Sequence, residues 1–234
     1  MKPRAIICDV YRTILDVLPP PPDAEARWVS LCRESFEEEP PFPLAGFLEA
    51  ARAAVRKNHA IARGRGVAFP EVQWPLILTE ILPGFSRLDA VSAMDFQVAE
   101  QSLSRGLGLV PGAADLLRAW QDGGLLLGIA SNAQAYTLPE LAAALVPAGL
   151  TPAIFAPDLV IWSWQLGFSK PDPYFFQVLL ARLSARGLAP GEVLMVGDRA
   201  DNDIAPAKAA GMMTWHLHPE GDGGWEDLRV AWAG

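Results

Sequence analysis

The sequence predicts an α/β protein built on a parallel sheet, with a helical segment inserted after the first strand, and three observations predict it. Short apolar runs recur at Ala5–Val10, Leu125–Ala130, Leu159–Trp162, Val193–Val196 and Met213–Leu217. They lack the polar alternation of half-exposed strands, as strands covered on both faces do. From about residue 106 onward, strand, helix and strand alternate, which argues for parallel pairing with helices on both faces. Between about 17 and 105 that alternation stops, no strand reads through, and helical periods take over.

Taken in chain order, the first run, Ala5–Val10, leads into Pro19-Pro20-Pro21-Pro22, a stiff linker at the start of the insertion. Inside it, Leu44, Phe47, Leu48, Ala51 and Val55 fall on one helical face, and Val91, Met94 and Val98 predict a second such face. Gly106 to Pro111 marks the way out, so Pro19–Pro22 and Gly106–Gly108 are the expected hinges. Thr137-Leu-Pro-Glu140 has the spacing of a capping box opening a helix through Leu145, the Thr hydroxyl and Glu carboxylate each satisfying an orphan amide. Asp172-Pro173 gives an N-cap followed by proline at the first helical position, ahead of Tyr174–Leu183.

Composition narrows the function classes. The chain has 234 residues, 51% hydrophobic and 20% charged, enough apolar content to fold as one large domain with an insertion. A net charge of -8 with no Lys/Arg run removes the electrostatic term that drives nucleic-acid binding. No stretch approaches the roughly 20 apolar residues of a membrane span, and the apolar run before Asp9 is too short for a signal-peptide core. With only Cys8 and Cys32, both in apolar contexts, a cytoplasmic setting is expected. The pattern sets no oligomeric state.

Four points carry chemistry, each at the carboxyl end of a predicted strand, where ligands sit in open parallel sheets. They are Asp9 in Cys8-Asp-Val-Tyr-Arg-Thr13, Ser131 in Ile129-Ala-Ser-Asn132, Lys170 in Gly167-Phe-Ser-Lys-Pro-Asp-Pro173, and Asp198 in Val196-Gly-Asp-Arg-Ala-Asp-Asn-Asp203. Singly, such residues are more often helix caps, turn residues or solvated charges. Together they supply an anionic nucleophile, a hydroxyl donor, a cation and a carboxylate cluster.

In these motifs the sequence resembles the haloacid dehalogenase (HAD) superfamily over nearly its whole length. Asp9 with Thr13 looks like the first motif, Ser131 the second, Lys170-Pro-Asp-Pro173 the third, and Gly197-Asp198 through Asn202-Asp203 the fourth. The inserted helices resemble the α-helical cap of the commonest subgroup. The resemblance implies a Rossmann-like parallel-sheet core from residues 1–16 and 106–234, a mobile helical cap domain over 17–105, and catalysis between them on a small anionic substrate, with neither nucleic acid nor membrane as partner. A strand-end aspartate beside a cation can attack phosphorus or carbon to form an aspartyl intermediate, a role that falls to Asp9. Mg²⁺ favours hard oxygen ligands, so Asp9, the Tyr11 carbonyl and Asp198 suit it, with Asp203 behind them. Lys170 would neutralise the carboxylates, Ser131 would hydrogen-bond the substrate's oxygens, and Asn132 would position substrate.

Two departures complicate the phosphatase reading. Family phosphatases carry a general-acid aspartate two residues after the nucleophile, where this chain has Tyr11; a phenol with a pKa near ~10 is a poor substitute. Tyr at this position is a feature of the 2-haloacid dehalogenases, whose halide leaving group needs no acid. Arg12 stands where the family commonly has Gly, and it is a candidate substrate contact. The Asp198, Asp201, Asn202, Asp203 cluster favours a Mg²⁺-dependent phosphatase; a 2-haloacid dehalogenase and a turnover-free ligand-binding scaffold are the alternatives. No cap arginine matches the dehalogenases' substrate-carboxylate contact with certainty, although Arg27, Arg33 and Arg52 are available. Lys57, the one lysine of the insertion, reads as a solvated helix residue rather than a Schiff-base former. His216 and His218 read as strand-end side chains before a metal pair, and Glu37 to Glu39 as a solvated helix end. Among the tryptophans, Trp28 and Trp74 are candidates to face the cleft.

Overall fold

The computed structural model describes residues 2–218 and 223–232. A five-stranded parallel sheet contains β1 (Ala5–Cys8), β4 (Leu126–Ser131), β5 (Phe155–Trp162), β6 (Val193–Gly197) and β7 (Met213–His216) in the order β5-β4-β1-β6-β7. β1 is central, paired Cys8 to Ile129 of β4 on one side and Cys8 to Val196 of β6 on the other. Its successive side chains point to opposite faces. Ile6 and Cys8 enter one core with α5 (Ala113–Asp122), α6 (Thr137–Leu145) and α10 (Trp225–Trp232), and Ala5 and Ile7 enter another with α8 (Pro173–Ala185) and α9 (Ala205–Ala209). Both free thiols, Cys8 and Cys32, are buried.

The insertion contributes α1 (Ala24–Phe36), α2 (Leu44–Gly64), α3 (Trp74–Ile81) and α4 (Ala90–Ser104), which bury a third core of their own. Trp28 lies at its centre, fully buried and stacked on Phe47 at 4.5 Å, so it faces no cleft. The predicted face of α2 is the buried one at Leu44, Phe47 and Ala51, but that of α4 is not. Val91 is largely exposed, and α4 turns Phe96, Gln97, Glu100 and Leu103 inward. Glu100 finds hydrogen-bond partners on that face, while Gln97 bonds only the Ala93 carbonyl of its own helix, and apolar periodicity registers neither.

Two further differences lie at strand ends. β5 begins at Phe155, ahead of the expected Leu159; Pro157 and Asp158 read as breakers, yet an edge strand tolerates them where its register shifts against β4. The two crossings into the insertion also carry strands where none was expected. β2 (Leu15–Leu18) and β3 (Gly106–Leu109) pair antiparallel, Leu18 opposite Gly106, in segments too short and glycine-rich to announce a strand.

Glu100 of α4 is buried, its Oε2 accepting from Trp74 Nε1 at 3.1 Å and Gln101 Nε2 at 2.9 Å. Burial outweighs those donors and raises its pKa to about 7. The folded chain therefore keeps this proton at pH values where the unfolded chain has lost it, so stability declines as pH rises from about 4.5 to about 7, and levels off above. The charge costs on the order of 3 kcal/mol at pH 8. Glu100→Gln keeps both acceptor contacts and is expected to melt several degrees above the parent at pH 8 but level with it near pH 4; thermal denaturation at the two pH values checks this, and equal melting at both contradicts it.

Candidate active site

The chain runs from β1 to β4 on one side of the sheet centre and to β6 on the other, so the loops after these strands meet where the strand order reverses. Asp9 follows β1 directly, its N–H donating to Val196 O at 2.9 Å, and Asp198 follows β6. Between them comes the buried Lys170 ammonium. It donates to Asp9 Oδ1 at 2.9 Å, Asp203 Oδ1 at 2.5 Å and the Ala130 carbonyl at 2.6 Å, which uses all three of its protons. Burial opposes the ammonium, but the Asp9 and Asp203 charges outweigh that and hold its pKa above the ordinary lysine value.

Asp203 reaches this position because Ala200–Ile204 form a π-helical turn that brings its carboxylate beneath Gly197. A Cβ on Gly197 would come within 2.4 Å of that carboxylate, so the glycine is required by close approach. Asp203 Oδ2 accepts from the Arg199 N–H at 3.0 Å, and burial raises its pKa to about 6, against the pull of Lys170. Half-buried Asp198 is also raised, by burial first and by the Asp9 charge second, and its carbonyl pairs with His216 Nε2 at 2.9 Å. Carboxylate oxygens of Asp9, Asp198 and Asp203 lie within 4.8 Å of one another, the only such cluster among the described residues. With Asp203 committed to Lys170 and Arg199, the donors suited to a hard divalent cation are Asp9 and Asp198, with the Tyr11 carbonyl from the same loop; a cation there would offset the Asp9 repulsion that adds to burial in raising Asp198. These side chains line a cavity of about 220 Å³ with Tyr11, Arg12 and Asn132. A larger groove of about 830 Å³, lined by Leu18, Val98, Leu107 and Ala144, contains none of the three carboxylates.

The other expected residues divide by what they touch. Ser131 Oγ and Thr13 Oγ1 are buried without a hydrogen-bond partner, donors in waiting at or near the strand ends. Both ends of the Asn132 amide are engaged: Oδ1 accepts from Lys170 N at 2.7 Å and Nδ2 donates to Lys170 O at 2.9 Å, so Asn132 fastens the Lys170 loop. Arg12 has φ +58°, the left-handed region that glycine occupies without cost. Its exposed guanidinium forms no ion pair among the described residues. Arg27, Arg33 and Arg52 instead pair with Asp23, Glu39 and Glu49 on the exterior, and Lys57 with Glu80.

Tyr11 departs from expectation most. Its hydroxyl donates to Glu140, lies 2.7 Å from Thr137 Oγ1 and accepts from Arg105 Nη2 at 3.0 Å, while the Arg105 guanidinium stacks on its ring at 4.4 Å. Arg105 also binds both Glu140 oxygens, at 3.1 and 3.2 Å. The Thr137 and Glu140 side chains therefore do not form the expected capping box; the helix starts where predicted, but a buried phenol and guanidinium are stronger claims on these groups than two amides near solvent. Burial pushes the Tyr11 pKa far above its ordinary value. Sequence reasoning missed Arg105 and Glu140 as site neighbours because the one signal they left, the helix-start spacing, had another meaning.

Known proteins share this fold. The family model for haloacid dehalogenase-like hydrolases matches residues 3–211. Among solved structures, a 2-haloacid dehalogenase from Pseudomonas syringae pv. tomato superposes with TM-score 0.64 at 19% identity, covering 100% of this chain and 99% of its own. A magnesium-bound HAD-hydrolase from Bacillus subtilis gives 0.56 at 22% identity, covering 100% of both chains. Among curated proteins, a ribulose-1,5-bisphosphate 5-phosphatase from Halopiger xanaduensis is 37% identical over 113 residues, 48% of this chain and 44% of the relative. A phosphoserine phosphatase from Thermus thermophilus is 36% identical over 127 residues, 52% of this chain and 47% of the relative. The matches thus span under half the length of these curated relatives. The parallel sheet, the helical insertion and the family match together define a hydrolase with a Rossmann-like core. The chain belongs to the haloacid dehalogenase-like hydrolase family. Among the described residues, no helix is long and apolar enough to cross a membrane.

Removing the ammonium should leave Asp9 and Asp203 buried against each other, and breaking a buried pair costs about 3–5 kcal/mol. Lys170→Met is expected to lower the melting temperature by about 10 °C at pH 8; differential scanning calorimetry reads the loss, and an unchanged transition would show that the pair carries no weight in the fold.

Proposed function

We propose that this chain is a Mg²⁺-dependent phosphatase acting on a small phosphorylated metabolite. The observation that carries the reading is the convergence of Asp9, Asp198 and Asp203 around Lys170 at the switch point, supported by phosphatases among the relatives. Asp9 attacks phosphorus through a carboxylate oxygen, the bond to the leaving oxygen breaks, and water then hydrolyses the aspartyl phosphate. Lys170 holds Asp9 by Oδ1, leaving Oδ2 without a protein donor among the described residues. The Ser131 hydroxyl binds a phosphoryl oxygen, and Arg12, at the rim, contacts the rest of the substrate. When bound, Mg²⁺ supplies positive charge against the phosphoryl oxygens.

The leaving group departs without a proton from position 11, because the Tyr11 hydroxyl is committed to Glu140. Substrates that tolerate this are acyl phosphates and activated esters. The same observation favours a second reading, displacement of halide from a 2-halo acid by Asp9, which needs neither an acid nor a metal. In either case residues 17–105 act as a cap domain over the core of 1–16 and 106–234, swinging about the β2–β3 ladder.

A panel of acetyl phosphate, p-nitrophenyl phosphate, alkyl phosphates and 2-chloropropionate, with Mg²⁺ or EDTA, separates these readings. Expected are phosphate release that needs Mg²⁺ and is lost in Asp9→Asn, and alkyl phosphates slower than acetyl phosphate by about 10²-fold or more, the usual contribution of a general acid. EDTA-insensitive halide release would replace the proposal with the dehalogenase, and absence of turnover would point to a ligand-binding scaffold. Solution scattering should show a smaller radius of gyration with a bound phosphate analogue; identical profiles would argue against cap motion.

A further inference from the structure

Between α2 and α3 the insertion sends a short strap, Phe69 to Trp74, onto the core. Pro70 bridges Phe168 in antiparallel fashion, Ser169 N donates to Phe69 O at 2.9 Å, and Glu71 N donates to Gly167 O at 3.1 Å. These contacts end one residue before Lys170. The other side of the strap holds the loop after β4: Trp74 N donates to Gln134 Oε1 at 3.0 Å, and Gln134 Nε2 donates to both Val72 O and Glu71 Oε1 at 3.0 Å. Glu71 Oε2 accepts from Ser163 Oγ at 2.5 Å, and Ser163 Oγ in turn accepts from Ala133 N at 2.9 Å. The Ser163 hydroxyl has one proton, and its other acceptor, Ala133 O, lies at 3.2 Å. The carboxylate is the better partner.

We infer that Glu71, a residue of the insertion, is a positioning residue for the core's chemistry: through Ser163 and Gln134 it fixes the loop bearing Ser131 and Asn132 against the loop bearing Lys170. Gln134 is buried and its side-chain partners are all on the strap, while Ser163, also buried, would keep only the longer contact to Ala133 O as acceptor. Asn132 and Lys170, joined by two hydrogen bonds, lie between the two places where the strap is fastened, and Lys170 sets the reach to Asp9. Docking the strap thus assembles the nucleophile's surroundings, and a small displacement there is enough to slow a reaction that depends on alignment.

The catalytic part of the inference rests on the phosphatase reading, whereas its structural part does not, so the test has two readouts. In folded Glu71→Ala the amides of Ala133, Ser169 and Lys170 are expected to exchange with deuterium about tenfold faster or more than in the parent. For acetyl phosphate, kcat is expected to fall by at least about tenfold with KM within about threefold, and Glu71→Gln, which keeps an acceptor, is expected to lie between. Ser163→Ala is expected to reproduce the loss, and the double variant to add little to it. Unchanged exchange at the three amides, or losses from the two sites that multiply as independent, would overturn the inference. If Glu71→Ala does not fold, Glu71→Gln and Ser163→Ala decide by the same criteria. A parent that releases no phosphate would refute the phosphatase reading, leaving the exchange data to decide the positioning.

Discussion

Three carboxylates converge at the carboxyl edge of the sheet, and the Lys170 ammonium is what allows two of them to be buried side by side. Its protons go to Asp9, Asp203 and the Ala130 carbonyl, so it binds together the ends of β1, β4 and the turn after β6. Much of the local architecture serves that one cation. Asn132 clasps its backbone on both sides, Gly197 leaves room for the Asp203 carboxylate, and the π-helical turn brings Asp203 around to meet it. Asp198 is left as the carboxylate without an ion pair inside the cluster, and burial first, then the neighbouring Asp9 charge, raises its proton affinity.

Two residues beyond Asp9, the chain turns from that cluster to a second one. The Tyr11 ring lies under the Arg105 guanidinium, and its hydroxyl closes a ring of contacts with Thr137 and Glu140. The Tyr11 side chain thus ties the loop after β1 to Arg105, the last residue before β3. Glu140 and Arg105 satisfy each other's charge in a largely buried setting, so the phenol is surrounded by a completed ion pair rather than by substrate.

Much of this could be read from the chain alone. The strand runs, the Asp172 cap and the four strand-end positions lay in local pattern, because a sheet covered on both faces and a helix with proline at its first position each impose a signature within about ten residues. Asp9, Lys170, Asp198 and Asp203 stood out by the resemblance of their motifs to a known family, and the structure brings the four side chains together. Arg105, Glu71 and Ser163 did not stand out, since their meaning lies in partners 63 to 94 residues away, such as Gln134 for Glu71 and Tyr11 for Arg105. Thr137 and Glu140 were misread because a capping box and a pair of inward-facing polar side chains share one spacing. The inward face of α4 was misread because Gln97 and Glu100 are buried polar groups, invisible to a hydrophobic period.

The pairing of Leu18 with Gly106 has an evolutionary corollary. Chain ends held as neighbours in an antiparallel ladder are about 5 Å apart, so the intervening helices could be exchanged for a different module, or shortened to a hairpin turn, without redrawing the parallel sheet. Such a join makes the helical insertion portable while the sheet and the side chains at its carboxyl edge stay in place. In this chain, however, a transplanted module would also have to bring a strap that fits Gly167–Ser169, Gln134 and Ser163. Ladder and strap therefore pull in opposite directions, one permitting wholesale replacement and the other tying this core to its own partner.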